Sequence, residues 1–104
     1  MPTVYVVNKS AHDFSAAKEF GKLKYLSQGS RDRYAVNSIH RDFQDILSKS
    51  KPEDYILLCG LTVMNCIACS IFSAMHGRLN LLIFRKGSYL ERNLVLERKG
   101  GIRC

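Results

Sequence analysis

No run of apolar residues in this sequence approaches the ~18 that a membrane-spanning helix needs. The longest apolar region, residues 55–75, is interrupted by Gly60, Thr62, Asn65, Ser70 and Ser73. The first ten residues, MPTVYVVNKS, lack a basic segment followed by a long apolar core, so they do not read as a secretory signal. Nor are the cysteines spaced as a disulfide framework. Cys59, Cys66 and Cys69 fall inside apolar runs, where a free thiol packs as a small hydrophobe, and the fourth is Cys104. These absences predict a reduced, cytosolic protein with no membrane partner.

Signatures of chemistry are also missing. The stretch GLTVMN at residues 60–65 has no second glycine and no Lys-Ser/Thr pair, so it is not a Walker loop, and no Gly-x-Gly-x-x-Gly pattern occurs. The Cys66-x-x-Cys69 pair lies a full turn inside an expected helix, whereas a redox pair sits at a helix start. A zinc site would need two further ligands at suitable spacing, and none is evident. No metal or cofactor is expected. His12, His40 and His76 have no Ser or Cys in a recognised catalytic spacing, so no catalytic residue is assigned.

Acidic residues are few: 9 Asp+Glu against 16 Lys+Arg, a formal charge of +7. Such a field favours polyanions, nucleic acid among them. However, the basic clusters at Arg31, Arg33, Arg41 and at Arg85, Lys86, Arg92, Arg98, Lys99, Arg103 have few flanking aromatics beyond Tyr34 and Tyr89. They read as solvated charge rather than a base-stacking platform.

What is present is a foldable chain of 104 residues, 46% hydrophobic and 24% charged. Residues 1–96 read as a single α/β domain, and the basic, glycine-containing tail 97–104 is expected to be flexible. Near-continuous apolar runs at 3–8, 55–59 and 79–84 predict strands buried on both faces. Alternating runs at 22–27 and 89–96 predict edge strands. A short helix is expected over 13–21, with Asp13 as its cap and Gly21 past its end. Helical spacing of Val36, Ile39, Phe43, Ile46 and Leu47 predicts a helix over 34–48, closed before Pro52. A third helix is expected over 62–76, with Gly77 as its stop. The order β-α-β-α-β-α-β-β is that of a small doubly wound, Rossmann-like sheet, mainly parallel, with strand order 2-1-3-4-5. The last strand should be antiparallel through a turn at 85–88. Val4, Val6, Ile56, Leu58, Leu81 and Ile83 should be almost fully buried.

That order puts a crevice at the carboxyl ends of the first and third strands. Asn8, Lys9, Ser10, His12, Gly60, Thr62 and Asn65 are the candidate ligand-binding residues. Gly60 allows a sharp turn, Thr62 is a good helix cap, and the first free N–H groups of the following helix favour an anion. An ordinary strand-to-helix joint accounts for the same residues, and both readings stand at this point.

The stretches VYVVNKSAHDFSAAKEFGKL and ILLCGLTVMNCIACSIFSAMHGRLNLLIFRKGSYLER resemble small proteins of tailed-phage genomes. The resemblance implies a setting in the host cytoplasm and carries no activity with it. The strand-Gly-x-Thr-x-Met-helix pattern at 56–65 resembles CRISPR-associated Rossmann-fold sensor domains, which implies a dimer binding a cyclic oligonucleotide.

Three functions fit. The first is a homodimeric Rossmann-like module holding a nucleotide-type or other anionic ligand at the crevice. The second is a phage accessory protein that acts on a host protein without a small ligand. The third is a small hydrolase or nuclease using Ser10, His12 and Asp13. A homodimer is expected because the short helix near 14–20 would cover one sheet face alone. A chargeless stripe on the third helix, Thr62, Asn65, Cys66, Cys69, Ser70 and Ser73, offers a second candidate surface.

Overall fold

The computed structural model describes residues 1–96, and the tail expected at 97–104 lies outside them. The elements are β1 (Thr3–Val6), a 3-10 segment (Ser15–Glu19), β2 (Lys22–Tyr25), α1 (Val36–Leu47), β3 (Tyr55–Leu57), α2 (Thr62–His76), β4 (Arg78–Arg85) and β5 (Ser88–Val95). They form a mixed α/β fold around one five-stranded sheet of order β2-β1-β3-β4-β5. β1 pairs in parallel with β2 and β3, and β3 with β4, while β4 and β5 are antiparallel. The hairpin turn is tight because Lys86 and Gly87 both take positive φ, 50° and 86°. That is the geometry whose twist suits two-residue hairpins.

Alternating side chains divide the core in two. On one face Tyr5, Val7, Ile56 and Leu79 lie under Ile39, Phe43 and Leu47 of α1 and Met64, Ala68, Ile71 and Phe72 of α2. On the other, Val4, Val6, Leu57, Leu82 and Tyr89 are closed over by Phe14 and Ala17, with Phe20, Tyr25 and Tyr55 around them. One short segment covers this second face because its aromatic side chains reach where its backbone does not. The central strands are thus covered on this face, where a thin cover was expected.

Several sequence expectations are corrected. The first helix is a 3-10 segment, and Asp13 does not cap it from the expected position. Its Oδ1 accepts the Ser15 N–H at 2.9 Å, a local turn, and that bond is the main cause holding its carboxyl below the usual range. The second helix starts at Val36 rather than 34, after Asp32 Oδ1 accepts the Tyr34 N–H. Val4, Val6 and Ile56 are fully buried, but Leu58 and Leu81 are only partly so, and Ile83 is 37% exposed. Leu57 and Leu82 are buried in their place. β3 is only three residues long, so Leu58 lies past its end, and Ile83 lies beyond the stretch of β4 that pairs with β3.

The amino end of the sheet is closed by polar groups. Buried Asp54 accepts the N–H groups of Thr3 (2.9 Å) and Lys51 (2.8 Å). Buried Asn80 donates to the carbonyls of Pro52 (2.7 Å) and Asp54 (2.8 Å). Its Oδ1 accepts from Arg78 and Asn93.

Candidate functional site

The carboxyl ends of β1 and β3 meet side by side, as their parallel pairing requires. The Cys59 thiol ties them: Asn8 N–H lies 3.3 Å from Sγ, and Sγ–H donates to the Asn8 carbonyl at 3.3 Å. Burial pushes this thiol up, so it stays protonated and able to donate. Beyond Cys59 the chain turns at Gly60, with φ at 79°. A Cβ there would come within 3.0 Å of Asn8 Cβ and 3.3 Å of Met64 Cε. Both conformation and clearance therefore call for glycine.

The joint into α2 differs from expectation. Leu61, not Thr62, occupies the cap position, and no side chain caps the helix there. Thr62 is the first helical residue and is exposed. Asn65 does the tying instead. Its Oδ1 accepts the Cys59 N–H at 3.1 Å, and its Nδ2 donates to the Leu61 carbonyl at 3.2 Å. The N–H groups of Thr62 and Val63, in the first turn, have no intrahelical partner.

Two adjoining hollows open on this joint. One, of about 320 Å³, is lined by Asn8, Gly60, Leu61 and Met64 together with Gly29, Ser30, Arg31 and Arg33 of the β2–α1 loop. The other, of about 720 Å³, shares Arg33, Gly60 and Leu61 and adds Tyr34, Val36, Thr62, Val63 and Cys66. Asn8 is only 9% exposed. Its side-chain amide lies 2.9 Å from the Ser27 hydroxyl, whose one hydrogen is also within reach of the Val7 carbonyl at 2.7 Å. That amide would lie 3.5 Å from the Cβ that Gly60 lacks. A buried donor facing a hollow is a group that a ligand or water must satisfy.

The remaining candidates lie elsewhere. Lys9 pairs with Gln28 in a parallel bridge, and its Nζ lies 5.2 Å from the centre of the Tyr25 ring. His12 stacks edge-on between Phe14 and Phe84, each 5.1 Å away, on the face opposite the helices. Ser10 Oγ accepts the His12 backbone N–H at 3.3 Å. The structure thus gathers Asn8, Gly60 and Thr62 around the hollows and uses Asn65 to hold the joint. Lys9, Ser10 and His12 line neither hollow. Ser10, His12 and Asp13 form no side-chain relay among themselves, because Asp13 is engaged with Ser15 and the His12 ring with phenyl groups.

Sequence reasoning missed Arg33, Tyr34, Leu61 and Met64 as lining residues. The loop that carries the first two is drawn over the crevice by Arg31, whose guanidinium donates to Asp42 at 2.6 Å and Ser38 at 3.0 Å on α1. Arg33 is exposed and makes no ion pair among the described residues. Of the two helical cysteines, burial pushes Cys69 up to about 11, while Cys66 is exposed. Packing accounts for Cys69 but not for Cys66. No cluster of three or more metal-ligating side chains occurs among the described residues.

Fold and crevice together define a small α/β domain with two adjoining hollows that share the Gly60 wall at the carboxyl ends of its central strands. The chain belongs to the Phage Pam3 gp32-like protein family, which matches residues 2–95. No curated protein and no solved structure matches it significantly. No helix among the described residues is long and apolar enough to cross a membrane.

Proposed function

We propose that this phage-family protein is a Rossmann-like binding module that takes a nucleotide-type or other anionic ligand at the crevice between β1 and β3. The observation that carries the reading is the Asn8 side-chain amide, nine-tenths buried and lining a hollow whose wall Gly60 leaves open. It supplies a donor for a phosphate or carbonyl oxygen. Arg33 supplies charge from the facing loop, and the N–H groups of Thr62 and Val63 supply the positive end of α2. Tyr34, exposed at the mouth of the larger hollow, gives a ring on which a base could stack. The setting that goes with this reading is the cytoplasm of the infected host, where the free Cys59, Cys66 and Cys69 would stay reduced.

A thermal-shift panel of nucleoside mono-, di- and triphosphates, cyclic oligonucleotides and inorganic phosphate tests it. A ligand at 100 times its dissociation constant should add about 2.7 kcal/mol of stability. Arg33→Gln, at an exposed position, should keep the fold and weaken the shift. Asn8→Asp, which puts a carboxylate where the amide stands, should abolish it. No shift with any of these compounds would favour an accessory protein that acts on a host protein through its surface.

A further inference from the structure

The two edges of the sheet are unlike. β2 is four residues long and carries Lys22 and Lys24 exposed, the usual protection against strand addition. β5 is eight residues long with neither lysine nor proline, and residues 91–96 are all exposed. The Leu96 N–H donates to the Gly77 carbonyl at 2.9 Å. Antiparallel pairing alternates, so the even-numbered residues of β5 turn their backbone groups to β4. The N–H and C=O groups of Tyr89, Glu91, Asn93 and Val95 therefore face the open edge. On the helix side of that edge α2 packs over β4 rather than β5. Leu94 and Leu96 are each half exposed there, Leu94 opposite Leu79 and Leu96 opposite Gly77.

We propose that β5 is a self-association edge. Two copies pair β5 against β5, antiparallel about a twofold axis, with Asn93 opposite the partner subunit's Asn93. The sheet thereby becomes continuous across both protomers.

Symmetry and charge select the partner and the register. A twofold axis perpendicular to the sheet keeps each side chain on its own face, so only residues of equal parity can be opposed. Centring on Glu91 sets two carboxylates opposite each other, and centring on Arg92 sets two guanidiniums; like charges so placed are destabilising. Centring on Leu94 pairs a shorter stretch of the described chain. Centring on Asn93 sets Leu90 against Leu96, Arg92 against Leu94, and Glu91 against Val95. Two copies of a +7 chain repel, and β5 is a strip where they can meet, since Glu91 and Arg92 are its only charges and cancel. A nucleic acid or an acidic partner would find little charge to grip on this edge. A twofold contact between copies is also the commonest way to close such a surface.

Sedimentation at micromolar concentration tests the proposal on the full chain. The expected species has twice the 11.8 kDa protomer mass. Val95→Pro removes an outward N–H and leaves the β4–β5 ladder intact, so it should yield a folded monomer with unchanged circular dichroism. Leu94→Lys should do the same through its exposed side chain. The register is read by crosslinking with Cys66 and Cys104 changed to Ser. Asn93→Cys should form an intermolecular disulfide, because hydrogen-bonded antiparallel partners have Cα atoms about 5.5 Å apart, inside the range a disulfide spans. Arg92→Cys should crosslink less. A wild-type chain that stays monomeric throughout would overturn the proposal. So would a dimer unmoved by both Val95→Pro and Leu94→Lys.

Discussion

At the residue scale the crevice depends on one backbone conformation and one buried amide. Gly60 turns with positive φ where even a methyl group would press on Asn8 and Met64. Gly60→Val should therefore cost about 2–4 kcal/mol, combining backbone strain with overpacking, read as a lower urea midpoint. The same change should abolish anion binding, since the new side chain would cover the Asn8 amide. A glycine after an apolar strand was legible as a turn, but that Lys9, Ser10 and His12 line neither hollow was not. His12 is held by Phe84, more than seventy residues away in sequence, and no local pattern announces that contact. Cys69 makes a second prediction. Burial raises its thiol from an ordinary 9.0 to about 11, so the folded state prefers the protonated form. Between those pH values the unfolded chain releases a proton that the folded chain keeps, and stability falls as pH rises. Urea midpoints from pH 8 to 11 should fall less steeply in Cys69→Ala than in the wild type. Iodoacetamide at pH 8 should modify exposed Cys66 well before Cys59 or Cys69.

At the element scale the short strands mattered more than the helices. Strand order was legible because continuous apolar runs and alternating runs separate central strands from edges. Burial phase within them was not, because YILLC and LNLLIF are apolar on both parities. Which residues are buried then depends on where β3 stops, and it stops at Leu57. The cap of α2 failed for a related reason: Asn65, one turn in, takes the Cys59 N–H and leaves Thr62 exposed. Arg33 could not be placed from sequence, because its approach follows from an ion pair between Arg31 and Asp42, eleven residues apart and in different elements. At the opposite end of the sheet Asn80 joins the loop before β3 to both strands of the hairpin. Asn80→Leu would leave the carbonyls of Pro52 and buried Asp54 without their donor. The expected cost is about 2–3 kcal/mol by chemical denaturation, with the fold retained.

At the scale of the whole molecule, a +7 chain presents one lysine-guarded edge, one unguarded edge and a pair of adjoining hollows at the ends of its central strands. Charge fixes what can approach each. We propose a second copy at the unguarded edge and an anion at the hollows; the two proposals rest on different residues and can fail separately. Membership of the phage family does not choose between a ligand-binding module and a surface-acting accessory protein, so the hollow itself must be interrogated. The most direct measurement is a two-dimensional amide NMR titration with the nucleoside phosphate panel. The account predicts that the side-chain NH₂ of Asn8 and the backbone N–H groups of Gly60, Thr62 and Val63 shift together and saturate, and that Arg33→Gln weakens the response. Shifts scattered over the exposed lysines and arginines, with Asn8 and Gly60 unmoved at every concentration, would contradict it.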